Sequence, residues 1–172
     1  MRTEDFLLVD AFHQRCSPAH VLRRWGRTHL PHRTLGQLLA QADCWLGLGA
    51  GGEPLALVCT GPVSRAAGVF DLGLQVADAH QRRGIGTALA RHAAQYAHAR
   101  GAHTLSTYTE ASNQAMLRLL RRLGPVRETR HGAQLDVRLP LGAGGLALRS
   151  SHHPKEPLHA PQCPGQQVAD PA

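Results

Sequence analysis

The segment VFDLGLQVADAHQRRGIGTALARHAAQYAHARG (69–101) constrains the fold of this chain more than any other. Residues 69–76 alternate by two, with Phe70, Leu72, Leu74 and Val76 on one face and Asp71, Gly73 and Gln75 on the other, the pattern of a strand. From Gly86 to Arg100 the period becomes helical, with Ile85, Leu89, His92 or Ala93, and Tyr96 as the expected apolar stripe. Gly101 is placed to end that helix. HTLSTYT (103–109) reads as the next strand. A strand, a tight loop, a helix and a strand in succession define an α/β architecture.

The loop inside this unit carries chemistry. The first turn of a helix has unpaired N–H groups and the positive end of the macrodipole, which together attract anions. Gly84 and Gly86 leave the backbone bare, Arg82 and Arg83 add charge, and Thr87 adds a hydroxyl. The stretch reads as a pyrophosphate cradle. GIGTAL has no lysine after its second glycine, which excludes a P-loop. Leu89 stands where a dinucleotide-binding fingerprint needs glycine or alanine. The pattern Gln/Arg-x-x-Gly-x-Gly/Ala is met in full by QRRGIG (81–86).

Around this centre the chain alternates helical and strand-like segments. Phe6, Val9 and Phe12 recur at three in a helix over 4–15. Ser17-Pro18 looks like a cap with proline at the first helical position, leading into AHVLRRWG. TLGQLLAQA (34–42) is a short amphipathic helix, and 44–61 is a hairpin around a glycine-rich turn. SNQAMLRLLRRLG (112–124) is a helix expected to bury Met116, Leu119, Leu120 and Leu123. AQLDVRLPL (133–141) is a strand. Residues 1–141 form one domain, and the Gly/Pro-rich segment 142–172 reads as a disordered tail.

The formal charge of +7 is nearly all arginine and suits a polyanionic partner. Aromatic residues make up only 4%, too few to interleave with the arginines as a single-strand nucleic-acid binder would need. The cysteines Cys16, Cys44, Cys59 and Cys163 form no C-x-x-C pair, and the histidine clusters HLPH and SHHP lack ligand spacing, so no metal is expected. The opening MRTEDFLLVDAFHQ has no signal-peptide core, and no run approaches roughly 18 apolar residues. The expectation is a cytoplasmic protein with reduced thiols, and neither nucleic acid nor membrane as partner.

VADAHQRRGIGTALARHAAQYAHARG and TEASNQAMLRLLRRLG resemble the GNAT superfamily of acetyl-CoA-dependent N-acetyltransferases. The nearest likeness is to the acetyltransferase modules of bacterial protein-lysine acetyltransferases, which FHQRCSPAHVLRRW (12–25) also resembles through Ser17, Arg24 and Trp25. The resemblance implies a mixed, mostly antiparallel sheet flanked by helices, whose first strand would lie before residue 1. It implies that the N–H groups of Gln81, Arg82, Arg83, Gly84, Ile85, Gly86 and Thr87 bind the pyrophosphate of acetyl-CoA. Backbone near Val76 would pair with the pantetheine arm and hold the thioester oxygen, because the strand there splays from its neighbour. Asn113 would bond the cofactor arm, with a plain helix cap as the equal alternative.

Asp71 stands where those modules carry a glutamate base; an arginine-bonded strand carboxylate is the alternative. Glu110 is the second candidate base, and Asp78 reads as a turn residue. The family's usual tyrosine acid falls at Leu120, and Tyr108 reads as core packing. The implied reaction is direct transfer of an acetyl group to an amine, on a small molecule or a protein lysine. The departures keep a second reading open: a non-catalytic acyl-CoA-binding or interaction module of the same fold.

Overall fold

The computed structural model describes residues 5–28 and 31–142; the expected tail lies outside the described residues apart from Gly142. Three helices open the chain: α1 (Asp5–Gln14), α2 (Pro18–Trp25) and α3 (His32–Gln41). Strands β1 (Asp43–Leu48), β2 (Pro54–Pro62) and β3 (Val69–Val76) follow, then α4 (Ile85–Ala99), β4 (Thr104–Glu110), α5 (Gln114–Leu123), β5 (Arg127–His131) and β6 (Gln134–Pro140). The strands form one sheet in the order β1-β2-β3-β4-β6-β5. Every neighbouring pair is antiparallel except β3 with β4.

α2 starts as its sequence requires. Ser17 is extended (φ −63°, ψ 148°), Pro18 takes the first helical position, and Gly26 closes the helix at φ 69° with its N–H on Leu22 O. The Ser17 hydroxyl makes no cap bond. Instead its own N–H donates to Asp78 Oδ2 at 3.2 Å, from the loop after β3.

Each sheet face has its own core. On one face α1–α3 bury Val9, Phe12, Val21 and Leu35 against Leu57 and Cys59. On the other, α4 and α5 pack on Phe70, Leu72, Leu74, Leu105, Val137 and Leu139. The buried stripe of α4 is Ala90, Ala93, Ala94 and Ala97; of the expected row of Ile85, Leu89, His92 or Ala93, and Tyr96, only Ala93 belongs to it. Small side chains let the helix lie close to the sheet, while His92 and Tyr96 meet the edge of Trp45 at 5.0 and 4.8 Å. In α5 the buried residues are Leu117, Leu120 and Leu123. Met116 and Leu119 are only partly covered and line the cleft described below.

β5 was not expected from the sequence. All of its residues are exposed, so RETRH carries no apolar period. It forms as the outer arm of a hairpin turning at Gly132 (φ 63°), and Arg121 Nη2 on α5 grips Glu128 Oε1 at 2.6 Å.

Candidate active site

β3 and β4 pair in parallel over only Val69–Asp71 and Thr104–Ser106. Beyond the Asp71–Ser106 rung the strands part, and Thr107 Oγ1 donates across to Leu72 O at 3.2 Å. On its other side β3 stays zipped to β2. Ala77 N–H donates to Leu55 O (2.8 Å), so the Ala56–Val76 pair is a non-hydrogen-bonded one. By alternation, the N–H groups of Leu74 and Val76 turn away from β2 and face the gap. The gap widens into a cleft of about 700 Å³, lined by Leu72–Val76, Thr107–Thr109, the loop after β3, α5 and α2.

The loop is held open for a ligand. A 3-10 turn at Asp78–His80 leads to Gln81, whose Nε2 donates to Val76 O at 3.2 Å. Arg82 takes φ 62° and Gly84 φ 84°. A left-handed arginine costs on the order of 1 kcal/mol or more, a strain typical of functional turns. The first hydrogen bond into α4 runs from Ala88 N–H to Gly84 O. Among the described residues, the six consecutive N–H groups of Arg82 to Thr87 donate to no protein acceptor. These are the donors that the sequence marked for a pyrophosphate, now with the α4 dipole behind them.

The two glycines divide the work. Gly84 has open space around it, and its positive φ is what excludes a side chain. Gly86 is a packing glycine: an added Cβ would lie 3.2 Å from Leu119 Cδ1, 3.3 Å from Leu74 Cδ2 and 3.4 Å from Val76 Cγ2. Its bareness seats α4 between β3 and α5, rather than only clearing the backbone for phosphate.

Asn113 is the N-cap of α5. Its Oδ1 accepts from Met116 N–H at 3.3 Å, and its Nδ2 donates to Thr109 Oγ1 at 3.0 Å. One Nδ2 hydrogen is left over, and the residue lines the cleft.

The two candidate bases sit outside the cleft lining. Asp71 meets solvent on one side and makes no ion pair among the described residues. Desolvation by the surrounding protein pushes its carboxyl pKa up, against the pull of the Arg24 charge and the Leu72 N–H. Glu110 is engaged: its Oε2 accepts from Arg23 Nε at 3.3 Å and from Ser112 Oγ at 3.1 Å.

Asp78 does more than turn the chain. Besides Ser17 N–H it holds His20 Nδ1 at 2.6 Å. Burial pushes its pKa up, but the bonds from His20 and Ser17 outweigh that and hold it below the usual carboxylate range. The phosphate loop is thereby tied to the start of α2.

Tyr108, expected in the core, is 63% exposed and lines the cleft. It stands two residues beyond the last rung that β4 shares with β3, where the cleft opens. Leu120, at the family's tyrosine position, is buried in the α5 core.

α2 supplies the wall that the residue patterns alone did not mark. His20, Arg23 and Arg24 line the cleft. The Arg24 guanidinium stacks 4.2 Å from the Trp25 ring centroid and lies over Gly73, where any Cβ would coincide with it. Trp25 Nε1–H in turn donates to Gln75 Oε1 at 3.1 Å. Beneath Arg24 lies Cys59, opposite Cys44 on the neighbouring strand. The Cys44 thiol and the Arg24 charge hold the Cys59 pKa down against burial, and the Cys44 thiol is pushed up.

This arrangement is a sheet with a wedge opened between two parallel strands, ending at a bare helix N-terminus. The model of the acetyltransferase (GNAT) family matches residues 7–124, and the chain belongs to that family of acyltransferases. No curated protein sequence matches it.

Solved structures share the fold. The GNAT domain of S. lividans PAT is 20% identical with a TM-score of 0.72, over 82% of this chain and 88% of that one. Spermidine N-acetyltransferase from Vibrio cholerae, solved with CoA and spermine, is 15% identical with a TM-score of 0.64, over 82% and 92%. A Salmonella typhimurium protein solved with its cofactor acetyl-CoA is 19% identical with a TM-score of 0.67, over 83% and 91%. At these identities the likeness is one of fold.

Proposed function

We propose that the protein transfers an acetyl group from acetyl-CoA to an amine by direct attack within a ternary complex. The observation that carries this reading is the wedge between β3 and β4, where strand N–H groups lead directly to the free N–H groups of Arg82 to Thr87. An extended amide-bearing arm pairs with a strand edge, and a pyrophosphate fits a helix N-terminus. Acetyl-CoA has both parts in that order, and related folds were solved with CoA or acetyl-CoA.

The chemistry needs few groups. The amine loses a proton, attacks the thioester carbonyl carbon and forms the C–N bond; the C–S bond then breaks and the thiolate leaves. An N–H of the β3 edge near Val76 stabilises the oxygen as it becomes negative. Asp71, which lies outside the cleft lining, takes the amine proton through intervening water; its elevated pKa brings it closer to a useful base. Leu120 offers no proton, and a thiolate with a thiol pKa of about 8.5 leaves without one.

Calorimetric titration with acetyl-CoA, followed by a thiol-release assay across small amines, polyamines and lysine peptides, tests the proposal. Binding together with release supports it. Binding with no release for any amine class leaves the non-catalytic module, and absence of binding removes both readings.

A further inference from the structure

A row of residues crosses the α1–α3 face of the sheet, from its β1 end towards the cleft. Cys44 on β1 faces Cys59 on β2, and Cys59 faces Gly73 on β3. β1 ends the strand order, so Cys44 stands on the outermost strand and is only partly buried, whereas Cys59 is buried. The space that a Gly73 side chain would fill is taken by the Arg24 guanidinium, and Arg24 lines the cleft.

The two sulfurs belong to a pair that can close. Ala77 N–H on Leu55 O and Val63 N–H on Val69 O set the phase of β2: its odd-numbered residues bond β3, and its even-numbered ones turn to β1. Cys44 and Cys59 are therefore a non-hydrogen-bonded pair, with Cα atoms about 4.5 Å apart and side chains on one face. A disulfide takes Cα atoms roughly 4.4–6.8 Å apart. The two thiols also differ in character. The Cys44 thiol and the Arg24 charge favour the Cys59 thiolate against burial, while the Cys59 contact and burial keep the Cys44 proton in place. Cys16 offers the contrast: it sits in the turn between α1 and α2, its thiol donates to Phe12 O at 3.4 Å, and burial pushes its pKa up to about 11.

We infer that Cys44 and Cys59 are a redox-active dithiol that hydrogen peroxide converts to a cross-strand disulfide, with Arg24 joining the pair to the cleft wall. The Cys59 thiolate attacks one peroxide oxygen, the O–O bond breaks and hydroxide leaves, giving a sulfenic acid. The Cys44 sulfur then attacks the Cys59 sulfur, the S–O bond breaks and the Cys44 proton leaves with the hydroxide as water. Two thiols and one peroxide become one disulfide and two waters, with two electrons passing from sulfur to oxygen. The oxidant is the size of a water molecule, and the partly exposed edge strand is its way in. Arg24 promotes the first step by stabilising the thiolate. In the disulfide Cys59 carries no charge, so oxidation alters the charge balance beside Gly73, in the wall of the cleft. The inference holds for any acceptor.

The test exposes the full chain to a small excess of hydrogen peroxide, alkylates it under denaturing conditions and digests it with trypsin. Cleavage after Arg33 and Arg65 releases 34–65, which holds both cysteines. That peptide should escape alkylation and be lighter by two hydrogens, and dithiothreitol should reverse both effects. Cys44→Ser should stop at a Cys59 sulfenic acid captured by dimedone, whereas Cys59→Ser should leave Cys44 unreacted. Arg24→Gln should slow disulfide formation by about 10-fold as the thiolate fraction falls, and Arg24→Lys should restore part of the rate. Both thiols still open to alkylation after peroxide, a bond from Cys59 to Cys16 or Cys163, or equal reactivity of the two serine variants overturns the inference. An unchanged rate in Arg24→Gln overturns the link to the cleft wall. Should Arg24→Gln fail to fold, Arg24→Lys against the unaltered protein decides that link.

Discussion

Asp71 faces Ser106 across the last rung that β3 and β4 share. One residue further the strands diverge, so the candidate base stands at the closed apex of the wedge, five residues before Val76. If it is the base, Asp71→Asn should lower turnover by roughly 100-fold or more and leave acetyl-CoA affinity nearly unchanged. Retained activity would move the role to Glu110 or to solvent.

The same carboxyl predicts a pH profile. Desolvation raises its pKa, so the acid limb of the rate should fall above the ordinary carboxylate range and disappear in Asp71→Asn. The stability sign is the reverse of the usual carboxylate. A raised folded pKa favours folding below the unfolded value and loses that contribution as pH rises through the folded one. Asp71→Asn should therefore melt no lower than the parent at neutral pH, which a thermal scan checks.

Asp78 has the opposite sign. His20 and Ser17 depress its pKa against burial, so its contribution is present above the unfolded carboxylate value and is lost as pH falls through the folded one. Asp78→Ala should lower the melting temperature at pH 7, with the difference shrinking in acid. It should also weaken acetyl-CoA binding, because the loop loses its tie to α2.

Much of this geometry is legible in the sequence and some is not. β3 reads correctly to the residue because it alternates cleanly, and the Gly84 turn reads because its glycine punctuates a change of period. The buried face of α4 does not, since alanine serves in a core or on a surface alike. β5 is invisible because every residue is exposed and RETRH carries no apolar period. The parting of β3 and β4 entered through family resemblance, as strand pattern records alternation but not pairing partners. Arg24 resembled its family counterpart, yet its place over Gly73 depends on how α2 crosses the sheet, which no local pattern encodes.

The two loop glycines should respond differently. Gly86→Val collides with Leu119, Leu74 and Val76 and should destabilise the fold by about 1–3 kcal/mol, read as a lower melting temperature. Gly84→Ala meets no neighbour but must hold φ 84°, so it should cost about 1 kcal/mol and weaken cofactor binding by reshaping the loop. An unchanged melt for Gly86→Val would contradict its packing role.

Asn113 separates in the same way. Asn113→Ala should lose about 1 kcal/mol of stability with the cap. Asn113→Ser keeps a capping oxygen and removes the spare Nδ2 hydrogen. A drop in acetyl-CoA affinity in the serine variant would support a bond to the cofactor arm; unchanged affinity would leave the cap as its role.

Amide hydrogen exchange with and without acetyl-CoA reaches the central claim most directly. The account predicts slowed exchange at Leu74 and Val76 and along Arg82 to Thr87 when acetyl-CoA is present, with β5 unaffected. Tight binding that leaves those amides exchanging at their free rates would place the cofactor elsewhere and contradict the account.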